Sequence, residues 1–216
     1  TEGMDIFADT IADYNSLMGY NHNLHTANTL AYLSPYWSGF KAAVAYIMSN
    51  ALSGNDNLPA STASNDQNAY SLSGNYNNGP LSLVIAYESL NKAGLAALIS
   101  GDTADANKDA VAWKVGGSYT IMDATTVGLI YENTDLGGSV GDRNAFYVDV
   151  AYKMANTTLK LAYGNIDKCG GTAAICDQTG ASQISLGASQ ALTKNTEVYA
   201  LYTQVSNDSN ADFGLV

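Results

Sequence analysis

Large apolar side chains alternate with small or polar ones in several separate segments of the chain. The alternation occurs at residues 40–46, 81–87, 111–115, 146–152 and 159–163. Successive side chains of a β-strand point to opposite faces of the sheet, so each segment predicts a strand with one aliphatic face. The other face mixes Ala, Gly and Ser with isolated charges, which suit a wet lumen better than a packed core. The pattern therefore predicts an all-β fold, a transmembrane antiparallel β-barrel whose aliphatic face contacts lipid.

The connections between the predicted strands alternate between short and long. We predict ten strands, at residues 29–34, 40–49, 69–76, 81–89, 111–121, 126–132, 146–154, 158–164, 183–192 and 197–204. In outer-membrane barrels the short turns face the periplasm and the long loops face outside. A β-sandwich would show irregular Greek-key connections instead. Aromatic residues also gather near the predicted strand ends, as in the girdles of such barrels: Tyr32, Tyr36, Trp37, Tyr46, Tyr87, Tyr131, Tyr152 and Tyr163.

The composition agrees with a barrel and limits other classes. Charged residues make up 13% of the 216 residues, against about 25% in soluble domains. No stretch offers the roughly 18 uninterrupted apolar residues that a membrane-spanning helix needs. A net charge of -11 argues against nucleic-acid binding, which requires basic patches. A secreted β-sandwich that acts in binding or adhesion stays open as an alternative.

Cysteine and histidine residues suggest no catalytic chemistry. Cys169 and Cys176 are the two cysteines and lie in one Gly-rich loop, which predicts a local disulfide and an oxidising compartment. A metal site there is the weaker interpretation, because no histidine is near and the spacing is not that of a zinc knuckle. His22 and His25 would bind a metal only on a helix, and no Cys or Glu ligand lies beside them. We expect no enzyme, no cofactor and no metal.

Residues 5–19 are the one predicted helix. Apolar residues recur on one side at spacings of four, three and four, namely Phe7, Ile11, Tyr14 and Met18. Three aspartates recur every fourth residue on another side, namely Asp5, Asp9 and Asp13. So short a helix is marginal alone and needs a surface to pack on. The aspartates are either a solvated helix face or functional carboxylates.

Three stretches carry a family resemblance. They are Glu-Gly-Met-Asp-Ile-Phe-Ala-Asp-Thr-Ile-Ala-Asp-Tyr-Asn at 2–15, Asn-Thr-Leu-Ala-Tyr-Leu-Ser-Pro at 28–35 with Trp-Ser-Gly-Phe at 37–40, and Glu-Val-Tyr-Ala-Leu-Tyr-Thr at 197–203 with Val-Ser-Asn-Asp-Ser-Asn-Ala at 205–211. The chain resembles the general porins of Gram-negative bacteria, and more closely the trimeric porins common in β-proteobacteria. The resemblance implies about sixteen strands in the full protein and about ten in this portion. We therefore expect an interior portion of a longer chain.

The resemblance also assigns roles along the chain. It implies that residues 1–28 fold inward as a loop that constricts the pore, that 29–205 form barrel strands, and that 206–216 begin the last external loop. The apolar side of the helix would pack on the inner wall, and Asp5, Asp9 and Asp13 would face the water path. Strand alternation predicts six lumen-facing charges, each of which either lines the pore or reaches to its rim: Lys41, Glu88, Lys114, Glu132, Asp149 and Lys160. Carboxylates and basic wall residues together would select permeants by charge and size.

The implied function is passive diffusion of small hydrophilic solutes and ions across the outer membrane. The resemblance implies a homotrimer in contact with outer-membrane lipid and lipopolysaccharide. A substrate-selective channel, for example for sugars, is an alternative that requires a row of aromatic rings along the lumen. Tyr147 and Tyr199 are the candidates for such a row.

Overall fold

The computed structural model describes residues 2–18, 29–48, 68–91, 109–136 and 140–215. These form one sheet of ten strands: β1 (Thr29–Leu33), β2 (Phe40–Ile47), β3 (Ala69–Asn78), β4 (Leu81–Leu90), β5 (Ala110–Ile121), β6 (Thr125–Asp135), β7 (Asp142–Met154), β8 (Thr157–Ile166), β9 (Ala181–Thr193) and β10 (Thr196–Asn207). All ten predicted strands are confirmed, and the last eight are longer than predicted. Among the described residues, no helix has the length and hydrophobicity of a transmembrane span.

Every strand pairs antiparallel with its neighbours in sequence, so the sheet is a continuous meander. The predicted short turns join strands that are only a few residues apart, such as β3 and β4 or β5 and β6. Met122 and Asp123 between β5 and β6 both adopt positive φ, at 50° and 57°, as a tight hairpin turn with right-handed strand twist requires. Gly79, between β3 and β4, also adopts a positive φ of 57°. The local turns therefore set the register of the hairpins.

Because the strands pair in register, every second side chain of each strand lies on the same face of the sheet. One row across the sheet consists of Lys41, Asn75, Val84, Gly116, Ile130, Tyr147, Gly164, Gln183 and Val205. Residues 2–18, which we call the inner segment, pack on this face, so we call it the inner face. The aliphatic side chains lie on the opposite, outer face. Val44, Leu83 and Leu161 there are 45%, 45% and 46% exposed, so the outer face is a continuous apolar surface of the kind that contacts a membrane.

Aromatic side chains form two rows on the outer face. Four strands carry a pair of rings six residues apart, at Phe40 and Tyr46, Tyr70 and Tyr76, Trp113 and Tyr119, and Phe146 and Tyr152. Six residues of strand span about 20 Å. At the end that faces the long connections the rings approach each other between strands, with centroids 5.3 Å apart for Trp113 and Tyr131. Two such rows bounding an aliphatic band match the girdles of a membrane barrel.

The prediction of a helix at residues 5–19 is wrong. The inner segment instead contains two short 3-10 helices, Glu2–Met4 and Tyr14–Ser16, separated by turns. The aspartates explain the difference, because their carboxylates accept backbone N–H groups locally and so compete with helical hydrogen bonds. Asp5 accepts from the Phe7 N–H at 2.8 Å, and Asp13 accepts from the Asn15 N–H at 2.8 Å. Residue 19, like the rest of the predicted inward loop up to 28, lies outside the described residues.

Cys169 and Cys176 form a disulfide, with their Cα atoms 5.0 Å apart. The loop they close contains a short helix that was not predicted, α1 (Ala173–Cys176). Its first turn begins at the Thr172 carbonyl, which accepts the Cys176 N–H at 2.9 Å. The Thr179 hydroxyl oxygen accepts a hydrogen bond from the Cys169 N–H at 3.2 Å. It accepts a second one from the Arg143 guanidinium, also at 3.2 Å. The bridged loop is thereby attached to the start of β7.

We predict that Gly39→Ala destabilises the sheet much more than Gly79→Ala. Gly39 adopts a φ of +90°, and a Cβ there would collide with the Asn77 carbonyl of β3, whereas Gly79 at +57° has open space around its Cβ position. The control should cost about 1 kcal/mol for its backbone conformation alone, and Gly39→Ala should cost more than twice that. Urea unfolding followed by tryptophan fluorescence measures both. Equal losses would contradict the close approach at Gly39.

Candidate functional site

The inner segment lies across the inner face with its apolar side chains above strand glycines. Phe7 lies over Gly187 of β9, where an added Cβ would be 2.7 Å from the ring. Met4 lies over Gly116 of β5, where the corresponding distance to the methionine Sδ is 3.1 Å. A glycine inside a strand commonly marks a close approach of another group. The sequence analysis did not identify these glycines. A glycine at an inner-face position of a predicted strand could have indicated that another group approaches the strand closely there.

Asp5 joins the inner segment to the wall. Its Oδ1 accepts the Phe7 N–H at 2.8 Å and the Tyr147 hydroxyl of β7 at 2.7 Å. Its Oδ2 accepts the Tyr14 N–H at 2.9 Å. One carboxylate thus closes a turn, ties residue 5 to residue 14, and anchors both to the barrel wall. Hydrogen bonds to an ionised acceptor are about twice as strong as neutral ones, so this carboxylate is a strong polar anchor of the segment.

Asp5 is nearly buried, which affects its ionisation. Burial raises the pKa of the Asp5 carboxyl above its usual value, because the charged form loses hydration. The N–H donors of Tyr14 and Phe7 and the Tyr147 hydroxyl act in the opposite direction by stabilising the carboxylate. The position of Asp5 therefore contradicts the prediction that this residue faces the water path.

Two lysines of the wall also hold the inner segment. Lys160 of β8 donates from Nζ to the Ile6 carbonyl at 2.6 Å, and its Nζ lies 5.7 Å from the Phe7 ring centroid. Lys114 of β5 pairs with Glu132 of β6, with 2.7 Å between Nζ and Oε2, and its Nζ lies 5.1 Å from the Tyr14 ring centroid. Cation–π contacts of this kind contribute about 0.5–2 kcal/mol each. These charges are occupied in binding the segment.

Gln183 of β9 supports the middle of the segment. Its Nε2 donates to the Ala12 carbonyl at 3.3 Å and to the Asp13 carbonyl at 3.4 Å. The same nitrogen lies 3.2 Å from the Thr203 hydroxyl of β10. A buried amide thus binds main-chain carbonyls of a segment that has little regular secondary structure. No sequence signal pointed to this role, since Gln183 resembles any polar residue at the start of a strand.

The predicted apolar side of the segment is only partly correct. Phe7, Tyr14 and Met18 are buried against the wall, but Ile11 is 55% exposed. Ile11 was placed with them on the assumption of a helix. The turn at Asp9, whose φ is 60°, carries Ile11 away from the wall instead. Of the three aspartates, Asp9 is exposed and Asp13 is half-buried.

The six predicted wall charges all lie on the inner face by register. Lys114, Glu132 and Lys160 lie under or beside the inner segment as described. Asp149 is buried, and its Oδ2 has no hydrogen-bond partner in the described part of the chain. The Nζ of Lys41 lies 5.5 Å from the Tyr36 ring centroid. The sixth residue of the set, Glu88, is half-buried.

The remaining candidates are the two tyrosines of a possible sugar-binding row and the two histidines of a possible metal site. Tyr147 is buried and bound to Asp5, whereas Tyr199 is 68% exposed on the inner face of β10. Tyr147 is therefore not available as part of an aromatic row for sugars. His22 and His25 lie outside the described residues. No group of three metal-ligating side chains occurs among the residues that the structure describes.

A family model identifies the family of the chain, and solved structures share its fold. The model of the Gram-negative porin family matches residues 1–210. Among solved structures, OmpT of Vibrio cholerae aligns with a TM-score of 0.60 at 19% identity, covering 89% of this chain and 57% of that one. OmpF of Salmonella typhi in complex with daunomycin aligns with a TM-score of 0.57 at 17% identity, covering 82% and 53%. The chain thus spans about half the length of these proteins. No curated protein matches it significantly in sequence.

We predict that Asp5→Asn loosens the inner segment and that Asp9→Asn does not. In the wild type both carboxylate oxygens of Asp5 accept hydrogen bonds from N–H or hydroxyl donors. In Asp5→Asn one of these oxygens becomes an NH₂ group, which faces a donor and cannot accept from it. The Asp9 side chain, in contrast, is exposed. Losing hydrogen bonds to a charged group costs about 1.5–3 kcal/mol, so the amides of Phe7 and Tyr14 should exchange hydrogen at least about tenfold faster. Mass-spectrometric exchange measures this. Unchanged protection in Asp5→Asn would refute the anchor.

Proposed function

Because the chain belongs to the Gram-negative porin family, we propose that the whole protein is a passive diffusion channel for small hydrophilic solutes and ions. The chain is part of a β-barrel of the bacterial outer membrane. Porins are channels and not enzymes, and we propose that this protein catalyses no reaction and needs no cofactor. Permeation would follow concentration gradients through a water-filled lumen.

The inner segment is the observation that carries this proposal. A chain that only needed a stable barrel has no use for seventeen residues anchored to the inner face by Asp5, Lys160 and Gln183. A segment held at this position narrows the cross-section available to solutes and exposes selected side chains to them. We propose that residues 1–28 form this constriction, that 29–205 supply barrel strands, and that 206–216 begin the last external loop.

The proposed assembly is a homotrimer in the outer membrane. One structural neighbour, OmpT of Vibrio cholerae, was solved in a trimer form. The aliphatic outer face between two aromatic rows suits hydrocarbon, with rings at the lipid–water boundary. We propose outer-membrane lipid and lipopolysaccharide as the surroundings of this face where it is not covered by a second subunit.

Within the constriction, we propose that Asp9 is the main selectivity residue and Asp13 a weaker one. The Asp9 carboxylate is exposed, whereas both oxygens of Asp13 accept backbone N–H groups, from Asn15 at 2.8 Å and Asp9 at 3.2 Å. Asp5 acts by positioning, since it is buried. The wall lysines nearest the segment, Lys114 and Lys160, are occupied by Glu132 and the Ile6 carbonyl. This arrangement favours cations.

The full-length protein should form open channels in planar bilayers, with stepwise insertion and ohmic single-channel conductance. Vesicles containing it should swell in small sugars at a rate that falls with sugar size and does not depend on sugar type. A steep preference for one sugar would instead favour the substrate-selective alternative. Absence of conductance from correctly folded protein would refute the channel.

We predict that Asp9→Asn shifts the reversal potential in a KCl gradient towards anions. A single charge about 6 Å from the ion path in water stabilises a cation by about 0.7 kcal/mol and destabilises an anion equally, so the cation-to-anion permeability ratio should fall about tenfold. Asp123→Asn, on the exposed turn between β5 and β6, is the matched control and should leave the ratio unchanged. Equal ratios for wild type and Asp9→Asn would remove this carboxylate from the permeation path.

We predict that Leu129→Arg on the outer face destabilises the folded protein in bilayers. Leu129 is exposed midway between the two aromatic rows and pairs with Val148 of β7. An arginine facing lipid at this depth costs about 2–4 kcal/mol in outer-membrane barrels. Ser73→Arg on the inner face is the control and should cost much less, because its side chain reaches water. Urea titration in lipid vesicles gives both values, and equal costs would reverse the assigned faces.

A further inference from the structure

Residues 208–215 follow β10 and lie against residues 167–180, the connection between β8 and β9. We call residues 208–215 the docked segment. The Asp208 N–H donates to the Gly180 carbonyl at 2.9 Å, and the Asp208 carboxylate accepts the Gly180 N–H at 3.1 Å. Asn210 donates from its backbone N–H and from Nδ2 to two further carbonyls of the connection, both at 2.9 Å. The docked segment is therefore held by backbone groups of the connection.

The disulfide between Cys169 and Cys176 lies inside this connection and is buried. The two cysteines are 4% and 3% exposed, so a reductant in solution cannot reach either sulfur in this conformation. Beside Cys169, the Gly170 N–H donates to the Asp142 carbonyl at the start of β7, at 2.7 Å. The connection is thus bonded both to β7 and to the docked segment.

A second set of contacts leads from the disulfide to the docked segment through side chains. The Thr179 hydroxyl donates to the Cys176 carbonyl at 3.0 Å and accepts the Cys169 N–H at 3.2 Å. The same hydroxyl accepts a hydrogen bond from Arg143 at 3.2 Å. The Cζ atom of Arg143 lies 5.5 Å from the ring centroid of Phe213 in the docked segment, a cation–π contact. The disulfide and the docked segment therefore share one network.

Apart from the disulfide, the connection has little that would fix its shape. Helix α1 has four residues, too few to persist alone. Gly170 and Gly171 precede it, and glycine loses more conformational freedom on folding than any other residue. The disulfide joins residues seven apart in sequence and excludes most conformations of the reduced chain. The carbonyls that hold the docked segment, at residues 177, 178 and 180, follow directly, so their positions depend on the disulfide.

We propose that the Cys169–Cys176 disulfide is a redox-sensitive latch that fixes the docked segment to this end of the sheet. A dithiol would open the latch by thiol–disulfide exchange. One thiolate of the reductant attacks a cysteine sulfur, and the S–S electron pair passes to the other cysteine, which takes up a proton. The second thiol then attacks the mixed disulfide, so the reductant ends as a cyclic disulfide and the protein as two thiols. The docked segment is released, while the strands keep their pairing.

Burial gives the latch a defined order of steps. Either sulfur becomes accessible only after the docked segment or the connection moves. Undocking therefore precedes reduction, and reduction then prevents redocking. Contacts of the docked segment, such as that of Asn210, should control the rate of reduction. The proposal goes beyond the channel, and only the exposure of this end to the external medium rests on the proposed function, since long connections of outer-membrane barrels face outside.

Hydrogen exchange tests the latch on the full-length protein folded in lipid nanodiscs. After complete reduction by dithiothreitol, verified by thiol alkylation, peptides that cover residues 208–215 should exchange at least about tenfold faster than in the oxidised protein. Peptides of β8 should keep their protection, since strand pairing does not depend on the disulfide. Unchanged exchange at residues 208–215 would overturn the proposal, as would a loss of protection throughout the sheet.

A double variant, Cys169→Ser with Cys176→Ser, repeats the test without a reductant. It should show the same fast exchange at residues 208–215 and should not respond to dithiothreitol. If the wild-type disulfide resists reduction, this variant decides, because protection equal to that of the oxidised wild type would overturn the latch. If the variant does not fold, reduction of the folded wild type decides.

The rate of reduction tests the coupling to undocking. Asn210→Ala removes the Nδ2 bond to the connection, so dithiothreitol should reduce the disulfide about threefold faster than in the wild type. Asn195→Ala, on the exposed turn between β9 and β10, is the matched control and should leave the rate unchanged. Equal rates in the wild type and Asn210→Ala would overturn the order of steps. Conductance without a redox-dependent docked segment would refute the latch alone, and a working latch without conductance would refute the channel alone.

Discussion

The structure depends on the requirement that every backbone polar group in a lipid-facing sheet be satisfied by a neighbouring strand. Once the strands pair in sequence order, their two-residue period divides the side chains between hydrocarbon and lumen. Leu83 and its neighbour Val84 lie on opposite faces for this reason, one exposed and one buried under the inner segment. Every feature of the candidate site is confined to the inner face, where side chains of the wall must support a segment that has little regular secondary structure.

The inner segment is held by polar groups that replace the hydrogen bonds a helix would have made. Asp5 accepts the N–H groups of residues 7 and 14, and Gln183 binds the carbonyls of residues 12 and 13. Strand glycines let Phe7 and Met4 approach the wall closely. Anchors at several separated points hold an irregular backbone in one position, as the proposed constriction of defined width would require.

The ten strands and both faces could be predicted from the sequence, because a two-residue period that recurs over many segments is typical of strands and of few other structures. The irregular backbone of the inner segment could not be predicted, and a helix was predicted in its place. Asp5, Asp9 and Asp13 imitate a helical face by spacing, and spacing does not show whether an aspartate faces solvent or accepts backbone N–H groups. The roles of Gly187 and Gln183 were likewise hidden, since each depends on contact with the inner segment, which lies far away in sequence.

Position, and not the number of carboxylates, decides what the proposed constriction would present to a solute. Asp5 and Asp149 are buried, so most of their field acts on the wall and the segment, while Asp9 is exposed to the solution. The same turn that exposes Asp9 also turns Ile11 outward, opposite Tyr199. A charge and an apolar surface thus reach the lumen together through one backbone feature, the positive φ at residue 9. A straight helix would have placed Ile11 beside Phe7 and Tyr14, against the wall, and only the carboxylates would have been left to the solution.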